Sequence, residues 1–178
     1  KGVLSNLEDN FGVLSLSRSK DNLLLWSHYT EEGKGYVLSF NKKHDFFNQK
    51  DQLGNYTNPT PVAYTSVRST IKPDQDDFYQ KMFCEKPIEW HYEEEERVFR
   101  IFPSLENSVG KDKYNNNIIL TDIPKDCITG IYIGYQASRK TKSTIFEAIK
   151  KNSITCPVYH SEISKKEYRI LFKKVKNT

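Results

Sequence analysis

Two carboxylates and a guanidinium stand at alternate positions near the middle of the chain, inside a run of aromatic residues and four consecutive glutamates. The run begins at Pro87, and from Trp90 onward its aromatic and β-branched residues predict a strand. Alternate residues of a strand share one face, so Glu93, Glu95 and Arg97 should point the same way. An isolated buried charge is costly, so these carboxylates must be paired or used in chemistry.

Two rings beside these carboxylates, Trp90 and Tyr92, could line a pocket for a planar ligand. The plainer alternative is a solvated acidic strand end, whose charges discourage pairing along a sheet edge. Arg97 is likewise typical of a structural salt bridge to Glu95. A binding site and a structural charge cluster therefore both remain open for this segment.

A second group of polar and aromatic residues lies near the start of the chain. Ser15 and Ser17 alternate on a predicted strand, and the helix that follows carries Trp26 and Tyr29 at three-residue spacing. Each also has an ordinary structural role, because such serines are typical of a sheet edge and such rings of a helix core. Together with the acidic segment, this group forms the candidate constellation of the chain.

Other site chemistries lack a matching pattern. The four histidines are scattered without metal-ligand spacing, so no metal is expected. There is no G-x-S-x-G motif of a serine hydrolase and no glycine-rich phosphate loop. Three widely separated cysteines are typical of buried thiols in a reducing compartment, which predicts a cytoplasmic protein. No apolar run has membrane-spanning length, so no membrane partner is expected.

The elements that must position these residues follow from hydrophobic periodicity and turn signals. Predicted strands cover residues 11–19, 36–40, 62–66, 90–102, 117–120, 128–134, 154–160 and 167–173. Predicted helices cover residues 22–29, capped by Asp21 or Asn22, residues 74–85, and a segment ending at 151, capped by Thr141 or Ser143. A helical turn is expected at 44–48, and residues 104–117 should form a loop.

The predicted fold is a single α+β domain over residues 1–178. It should contain a central mixed or mostly antiparallel sheet of about six to eight strands with three or four flanking helices. The most apolar strand, 128–134, should lie inside that sheet because neither of its faces suits water. The net charge of +4 permits a nucleotide or nucleic-acid partner without requiring one.

The spacing of these motifs resembles a widespread bacterial and phage family of unknown function. Its members share an S-x-S strand, here Ser15 and Ser17, a W-x-x-Y helix, a G-x-x-x-x-F strand and a K-x-x-x-W-x-Y-E-x-E-x-R segment. Here the motifs fall on Trp26 and Tyr29, on Gly35 and Phe40, and on Lys86, Trp90, Tyr92, Glu93, Glu95 and Arg97. The resemblance covers residues 11–135. Because family members begin with a further N-terminal segment, it implies that this chain lacks one.

The order of a serine-bearing strand, an aromatic clamp and an E-x-E strand is also similar to that of ADP-ribosyltransferases. Cleavage of NAD develops positive charge on the ribose, which a fixed carboxylate can stabilise. By this resemblance Glu95 would bind the ribose hydroxyls and stabilise that charge, and Glu93 would orient or deprotonate the acceptor. Arg97 would pair with a glutamate or reach the pyrophosphate. NAD, the nucleotide substrate, would be held by Ser15, Ser17, Trp26, Tyr29, Trp90 and Tyr92.

This likeness implies an enzyme that modifies a macromolecule, either protein or nucleic acid, as a bacterial defence or toxin effector. Two other functions remain open. A non-catalytic interaction or regulatory domain of a phage-defence or toxin–antitoxin system would combine an exposed aromatic patch, glutamates locked to Arg97 and no pocket. A nucleic-acid-binding domain would use the C-terminal lysines, which are also typical of a solvated tail. Those lysines are Lys165, Lys166, Lys173, Lys174 and Lys176.

Overall fold

The computed structural model describes residues 11–50, 58–72, 78–101 and 108–175. The helices of these ranges are α1 (Leu23–Tyr29), α2 (Phe78–Phe83) and α3 (Arg139–Lys151), with short 3-10 helices at Asp45–Phe47, Ile88–Glu93 and Lys125–Cys127. The strands are β1 (Phe11–Ser17), β2 (Tyr36–Phe40), β3 (Thr60–Pro61), β4 (Ala63–Thr65), β5 (Glu85–Pro87), β6 (Glu95–Ile101), β7 (Ser108–Lys111), β8 (Asn117–Ile119), β9 (Ile128–Ile133), β10 (Val158–Ile163) and β11 (Ile170–Lys174). Within the same ranges, the helices are too short or too polar to cross a lipid bilayer.

The strands of the described ranges are divided among four sheets. An antiparallel sheet has the order β1–β6–β3, and a mixed sheet has the order β11–β10–β9–β2, while β4 pairs with β5 and β7 with β8. The α+β class with mixed and antiparallel sheets is confirmed, but the strands do not form one central sheet. The division is visible at Val62, where the chain leaves β6 (Val62 N to Glu95 O, 2.9 Å) and joins β5 (Ala63 N to Cys84 O, 2.7 Å).

The β1–α1–β2 unit forms as the sequence predicts. Asn22 caps α1, because its side-chain oxygen accepts a hydrogen bond from Leu24 N at 2.9 Å. The turn between α1 and β2 packs against the end of β9 so closely that a Cβ on Gly134 would lie 2.1 Å from Gly33 O. Glycine at this position therefore allows the chain of β9 to pass directly beneath the turn.

The acidic segment is not the strand predicted from Trp90. Residues Ile88–Glu93 form a 3-10 helix, entered through Pro87, whose fixed φ of −56° suits the start of a helix. The helix ends at Glu94, which takes the left-handed conformation with φ 45°, and β6 starts only at Glu95. Glu93 and Glu95 therefore belong to different elements, contrary to the prediction that they share one strand.

The prediction of a loop at 104–117 is wrong for residues 108–111 and for Asn117, which belong to strands. β7 and β8 form an antiparallel hairpin, and residues 102–107 lie outside the described residues. The connecting turn is closed by Asp112, whose carboxylate accepts hydrogen bonds from Tyr114 N at 2.8 Å and Asn116 N at 2.9 Å. This local turn chemistry lets a polar, asparagine-rich segment form a hairpin.

The boundaries of four other elements also differ from the sequence prediction. Helix α2 ends at Phe83 because Glu85 pairs in β5, while the predicted start of that helix lies partly in the undescribed residues 73–77. Helix α3 starts earlier than predicted, since Ser138 is its cap and accepts from Thr141 N at 3.0 Å. The last two strands begin and end a few residues later than their hydrophobic patterns indicate.

The mixed sheet and α3 share one buried core. Strand β9 lies between β10 and β2, as predicted for the most apolar strand, and its Ile131 and Ile133 pack with Ile145 of α3. On the opposite side, Trp26 of α1 packs with Tyr132 and Ile170. Helix α1 is therefore anchored to the mixed sheet, although it follows directly after a strand of the other sheet.

Candidate functional site

A cavity of about 570 Å³ lies between β1, β2, α1 and the start of β6. Apolar side chains from β1, α1 and β2 form much of its wall: Leu14, Leu16, Leu25, Val37, Leu38 and Phe40. Polar groups also line it, including Ser15, Ser17, Tyr29, Lys86, Glu93, Glu95 and Arg97. The two acids, the two serines and the rings of the helix thus meet at one cavity.

The register of β1 and β6 explains why serines and charged residues meet. The strands are antiparallel, and Ser15 lies opposite Arg97 while Ser17 lies opposite Glu95. Directly opposed residues of an antiparallel pair project from the same face of the sheet. The serine pattern and the acidic pattern therefore face the cavity together.

Glu95 is the most extensively hydrogen-bonded acid of the cavity. Arg97 donates to both of its carboxylate oxygens, from Nε at 2.8 Å and from Nη2 at 3.2 Å, and Lys86 Nζ donates at 3.1 Å. Burial, which leaves Glu95 only 5% exposed, acts to raise its pKa. Hydrogen bonds from Arg97, Ser15 and Lys86 outweigh that effect and lower the pKa to about 2. Glu95 is therefore a permanent anion at neutral pH.

Glu93 is held from two sides by different partners. Tyr29 donates its hydroxyl to Oε1 at 2.6 Å, and Lys86 donates to Oε2. The hydrogen bond to Glu93 raises the pKa of Tyr29 to about 12, since loss of the phenol proton would place two negative charges together. Burial acts to lower the pKa of Lys86, but its hydrogen bonds to Glu93 and Glu95 outweigh it and raise that pKa. Lys86 thus bridges both acids.

The two acids and two bases of this cluster balance in charge, and backbone contacts fix their positions. Ser17 Oγ donates to the carbonyl of Glu93 at 2.7 Å, which ties the 3-10 helix to β1. The N–H of Glu95 donates to the hydroxyl of Tyr64 at 2.7 Å. Such a fully paired cluster is held in one arrangement, because each charge is fixed by more than one hydrogen bond.

The four predicted ring residues do not share one environment. Trp26 lines the cavity but is only 1% exposed, and its Nε1 donates to Lys20 O at 2.7 Å. Tyr29 is 64% exposed at the cavity edge. Trp90 and Tyr92 are not among the residues that line this cavity; their rings pack with each other at 6.0 Å between centroids, beside the Lys86 ammonium. Only Tyr29 therefore combines access to the cavity with exposure.

Several residues in the cavity or next to it lie outside the site predicted from the sequence. The sequence marks Lys86 only as the first position of a motif. In the structure its ammonium bonds to Glu93 and Glu95, which lie seven and nine positions later in the chain. Tyr64 carried no signal, because its contact is to the backbone of Glu95. Thr30 accepts from Gly33 N at 3.1 Å and closes the turn after α1, a role that depends on the folded backbone.

The cysteine nearest the cluster is not suited to nucleophilic chemistry. Burial raises the pKa of the Cys84 thiol, which is 1% exposed, and the opposing charge of Arg97 does not offset this. Within the described ranges, no three His, Cys, Asp or Glu side chains converge as a metal site would require. The chemistry of the cavity therefore rests on its carboxylates, hydroxyls and cations.

Part of the chain matches a known family of uncharacterised proteins. Residues 25–98 match the model of the family described as "Protein of unknown function (DUF2971)". This range contains Tyr29, Lys86, Glu93, Glu95 and Arg97. No curated protein and no solved structure gave a significant match. The family match supports the resemblance to an uncharacterised domain and brings no chemistry with it.

Proposed function

We propose that the protein is an ADP-ribosyltransferase-like enzyme that cleaves NAD in this cavity and transfers ADP-ribose to a macromolecule. The observation that carries the proposal is that Glu93, Glu95, Ser15 and Tyr29 line one largely apolar cavity. Its volume of about 570 Å³ is in the range of small-molecule sites. A planar base can pack on the apolar wall while the ribose reaches the acids.

The charge state of Glu95 suits cleavage of an N-glycosidic bond. When the bond between ribose C1′ and the nicotinamide nitrogen breaks, its electron pair leaves with nicotinamide, and positive charge develops on the ribose. An anionic carboxylate stabilises that charge, and the low pKa of Glu95, about 2, keeps it anionic throughout the neutral range. Arg97 and Lys86 hold the carboxylate in place through charge-assisted hydrogen bonds.

Glu93 has the contacts of a residue that could receive the proton of an acceptor. Its Oε1 is bonded to the hydroxyl of Tyr29, whose ring is largely exposed. Rotation of Tyr29 would free that oxygen without disturbing the buried core. An acceptor nucleophile attacking C1′ would then pass its proton to Glu93.

The test is release of nicotinamide from NAD carrying a label on its adenylate, with transfer of the label to total protein or nucleic acid measured in parallel. Glu95→Gln should slow nicotinamide release by about 100-fold or more, because the anion facing the ribose is lost. Glu93→Gln should retain slow hydrolysis by water but lose transfer to the acceptor.

Glu96→Gln is the matched control, since Glu96 is buried on the same strand and paired with Lys42 at 3.0 Å, outside the cavity. It should release nicotinamide at the unmodified rate. Equal rates for Glu95→Gln and Glu96→Gln, with both proteins folded by circular dichroism, would contradict the proposal. Absence of nicotinamide release from the unmodified protein with every acceptor tested would also contradict it.

A non-catalytic interaction domain is the second candidate, and one observation favours it. Every charge of the cluster is already paired within the protein, and the rings of His28, Trp90 and Tyr92 form a separate group, in which Trp90 is 38% exposed. In that case the cluster would be structural. NAD would then remain intact, and Trp90→Ala would abolish binding to the partner while Glu95→Gln would chiefly lower stability.

A further inference from the structure

Positive charge is concentrated in the last part of the described chain. Between residues 138 and 175 there are ten lysines and arginines and three glutamates, a net charge of +7. The whole chain carries only +4, so the remaining residues carry −3. This segment comprises α3, β10 and β11, and we name the cations of these elements and their connecting turn the basic face.

Nearly all cations of the basic face are exposed. Helix α3 contributes Arg139, Lys140, Lys142, Lys150 and Lys151, and β11 with its preceding turn contributes Lys165, Lys166, Arg169, Lys173 and Lys174. All are exposed except Lys142, which is half-buried. Among these ten cations, the ion pairs found in the described part of the chain engage only Arg169, with Glu167, and Lys173, with Glu162. Most of this charge is therefore available to a partner.

The helix and the strands contribute cations to the same side of the mixed sheet. His160 of β10 lies directly opposite Lys173 of β11, so their side chains share a face. Helix α3 covers this same face, because its Ile145 and Ile149 pack with Ile133, the residue of β9 that pairs with His160. The cations of α3 and Lys173 of β11 consequently lie on one side of the sheet, whereas Lys174, which pairs with Tyr159, projects from the other side.

Exposed rings lie among these cations. Phe146 on α3 is 40% exposed, and Lys142 and Lys150 lie one turn before and one turn after it. Tyr168 is 99% exposed in the turn before β11, with Arg169 next to it. Cations that follow a phosphate backbone, interrupted by rings on which bases can stack, are typical of surfaces that bind single strands.

We propose that the basic face binds single-stranded nucleic acid. An anionic membrane suits the surface less well, because interfacial binding needs a continuous apolar stripe. The apolar residues of α3, Ile145 and Ile149, pack against the mixed sheet and leave isolated rings outside. Charge complementarity and separated rings thus favour a polyanion whose bases are free to stack.

The basic face begins beside the candidate site. Ser138 and Thr141, at the start of α3, border a second cavity of about 770 Å³. Tyr29, Thr30 and Tyr36 line both this cavity and the one that contains the acids. A strand bound along α3 can therefore reach the acids past Tyr29, which makes nucleic acid the acceptor. That last step rests on the proposed function, whereas the binding itself does not.

The test measures fluorescence anisotropy of labelled oligo-dT and oligo-U over a range of salt concentrations. The triple change Lys142→Gln, Lys150→Gln and Lys151→Gln should weaken binding by about tenfold or more at low salt. It should also reduce the slope of log affinity against log salt by about 2, because each phosphate contact to a single strand contributes about 0.7 to that slope. Phe146→Ala should weaken binding about 5-fold with an unchanged salt slope, since a ring carries no charge.

The matched control changes three exposed lysines that lie outside the basic face, Lys111→Gln, Lys113→Gln and Lys125→Gln, and should bind as the unmodified protein does. Equal weakening in both triple variants would overturn the proposal, as would binding that is insensitive to salt. Capture by phosphatidylserine vesicles without binding to either oligonucleotide would also overturn it.

Nicotinamide release without an acceptor separates the two proposals. The basic-face variant should hydrolyse NAD at the unmodified rate but modify oligonucleotides more slowly. Oligonucleotide binding in a protein that never cleaves NAD would sustain the basic face and reject the proposed chemistry. Cleavage of NAD without oligonucleotide binding would reject the basic face and sustain the chemistry.

Discussion

The acid cluster and the basic face use the same residue types in opposite ways. In the cluster, Lys86 and Arg97 are largely buried and bonded to Glu93 and Glu95. On the basic face, lysines such as Lys150 are exposed, and most have no ion pair within the described residues. Charges removed from water interact strongly over short distances, whereas exposed charges act over longer distances and are screened by salt.

The difference teaches that charge alone does not identify a role in this chain. Paired buried charges fix geometry, because their energy depends on atoms staying within hydrogen-bond distance. Unpaired exposed charges set attraction to a partner and tolerate changes of position. The two regions should therefore respond differently to single substitutions, acidity and salt.

The largest expected difference is in stability. Glu95→Gln should lower the free energy of unfolding by about 3 kcal/mol, because the buried Arg97 loses its anionic partner. Glu167→Gln, which breaks the exposed pair with Arg169, should change it by less than about 0.5 kcal/mol. Urea denaturation of both variants measures the contrast. Similar losses would mean that the cluster is no more stabilising than a surface pair.

Acidity should separate the two regions next. The folded pKa of Glu95, about 2, lies below the ordinary value of 4.5, so its ionised form stabilises the fold. That contribution is fully present above pH 4.5 and is lost as the pH falls toward 2. The stability gap between the unmodified protein and Glu95→Gln should therefore narrow over this range.

The basic-face triple variant provides the control for that titration. The three lysines that this variant lacks stay protonated throughout the acid range in the unmodified protein. The difference in stability between the variant and the unmodified protein should therefore stay constant as the pH falls. Thermal unfolding at several pH values measures how far the stability of each variant, Glu95→Gln and the triple variant, differs from that of the unmodified protein. A constant gap for Glu95→Gln would show that its carboxylate has an ordinary pKa in the folded protein.

The smallest expected effect concerns Tyr29, which lines both the cavity with the acids and the cavity beside the basic face. The phenol of Tyr29 should titrate near pH 12, because Glu93 accepts its proton in a hydrogen bond. Glu93→Gln should move that pKa back toward 10, whereas Lys150→Gln should leave it unchanged. Tyrosine carbon-13 NMR, with Tyr29→Phe to identify the resonance, measures it. An unchanged pKa in Glu93→Gln would show that Tyr29 does not donate its hydroxyl to Glu93.

Residue spacing predicts which residues meet at the cavity more accurately than it predicts the secondary structure that connects them. The alternation predicts one strand for Glu93 and Glu95, yet they come together through a 3-10 helix and the left-handed Glu94. Alternation along a strand and this tight bend both bring positions two apart to one side. Lys86 and Tyr64 could not be assigned, because their contacts depend on the pairing of β4 with β5.

The basic face was only partly visible in the sequence. The sequence indicates a nucleic-acid site at the C-terminal lysines, but Lys176 lies outside the described residues and this prediction leaves out the cations of α3. Periodicity does place Ile145 and Ile149 inward, which leaves the lysines of α3 outside. What periodicity cannot supply is the packing of α3 beside β10, which unites the two sets of cations.

The pairing of β1 with β6 has a consequence for biosynthesis. The contact between Ser17 and Glu93 spans 76 positions, so β1 leaves the ribosome long before its partner exists. Until β6 has been synthesised, Leu14 and Leu16 of β1 lack the paired strand that contributes to their hydrophobic cluster. Such distant pairing is slow and leaves open strand edges that can aggregate. A nascent chain is therefore incapable of the proposed chemistry until translation has passed Arg97, the last of the described residues that line the cavity.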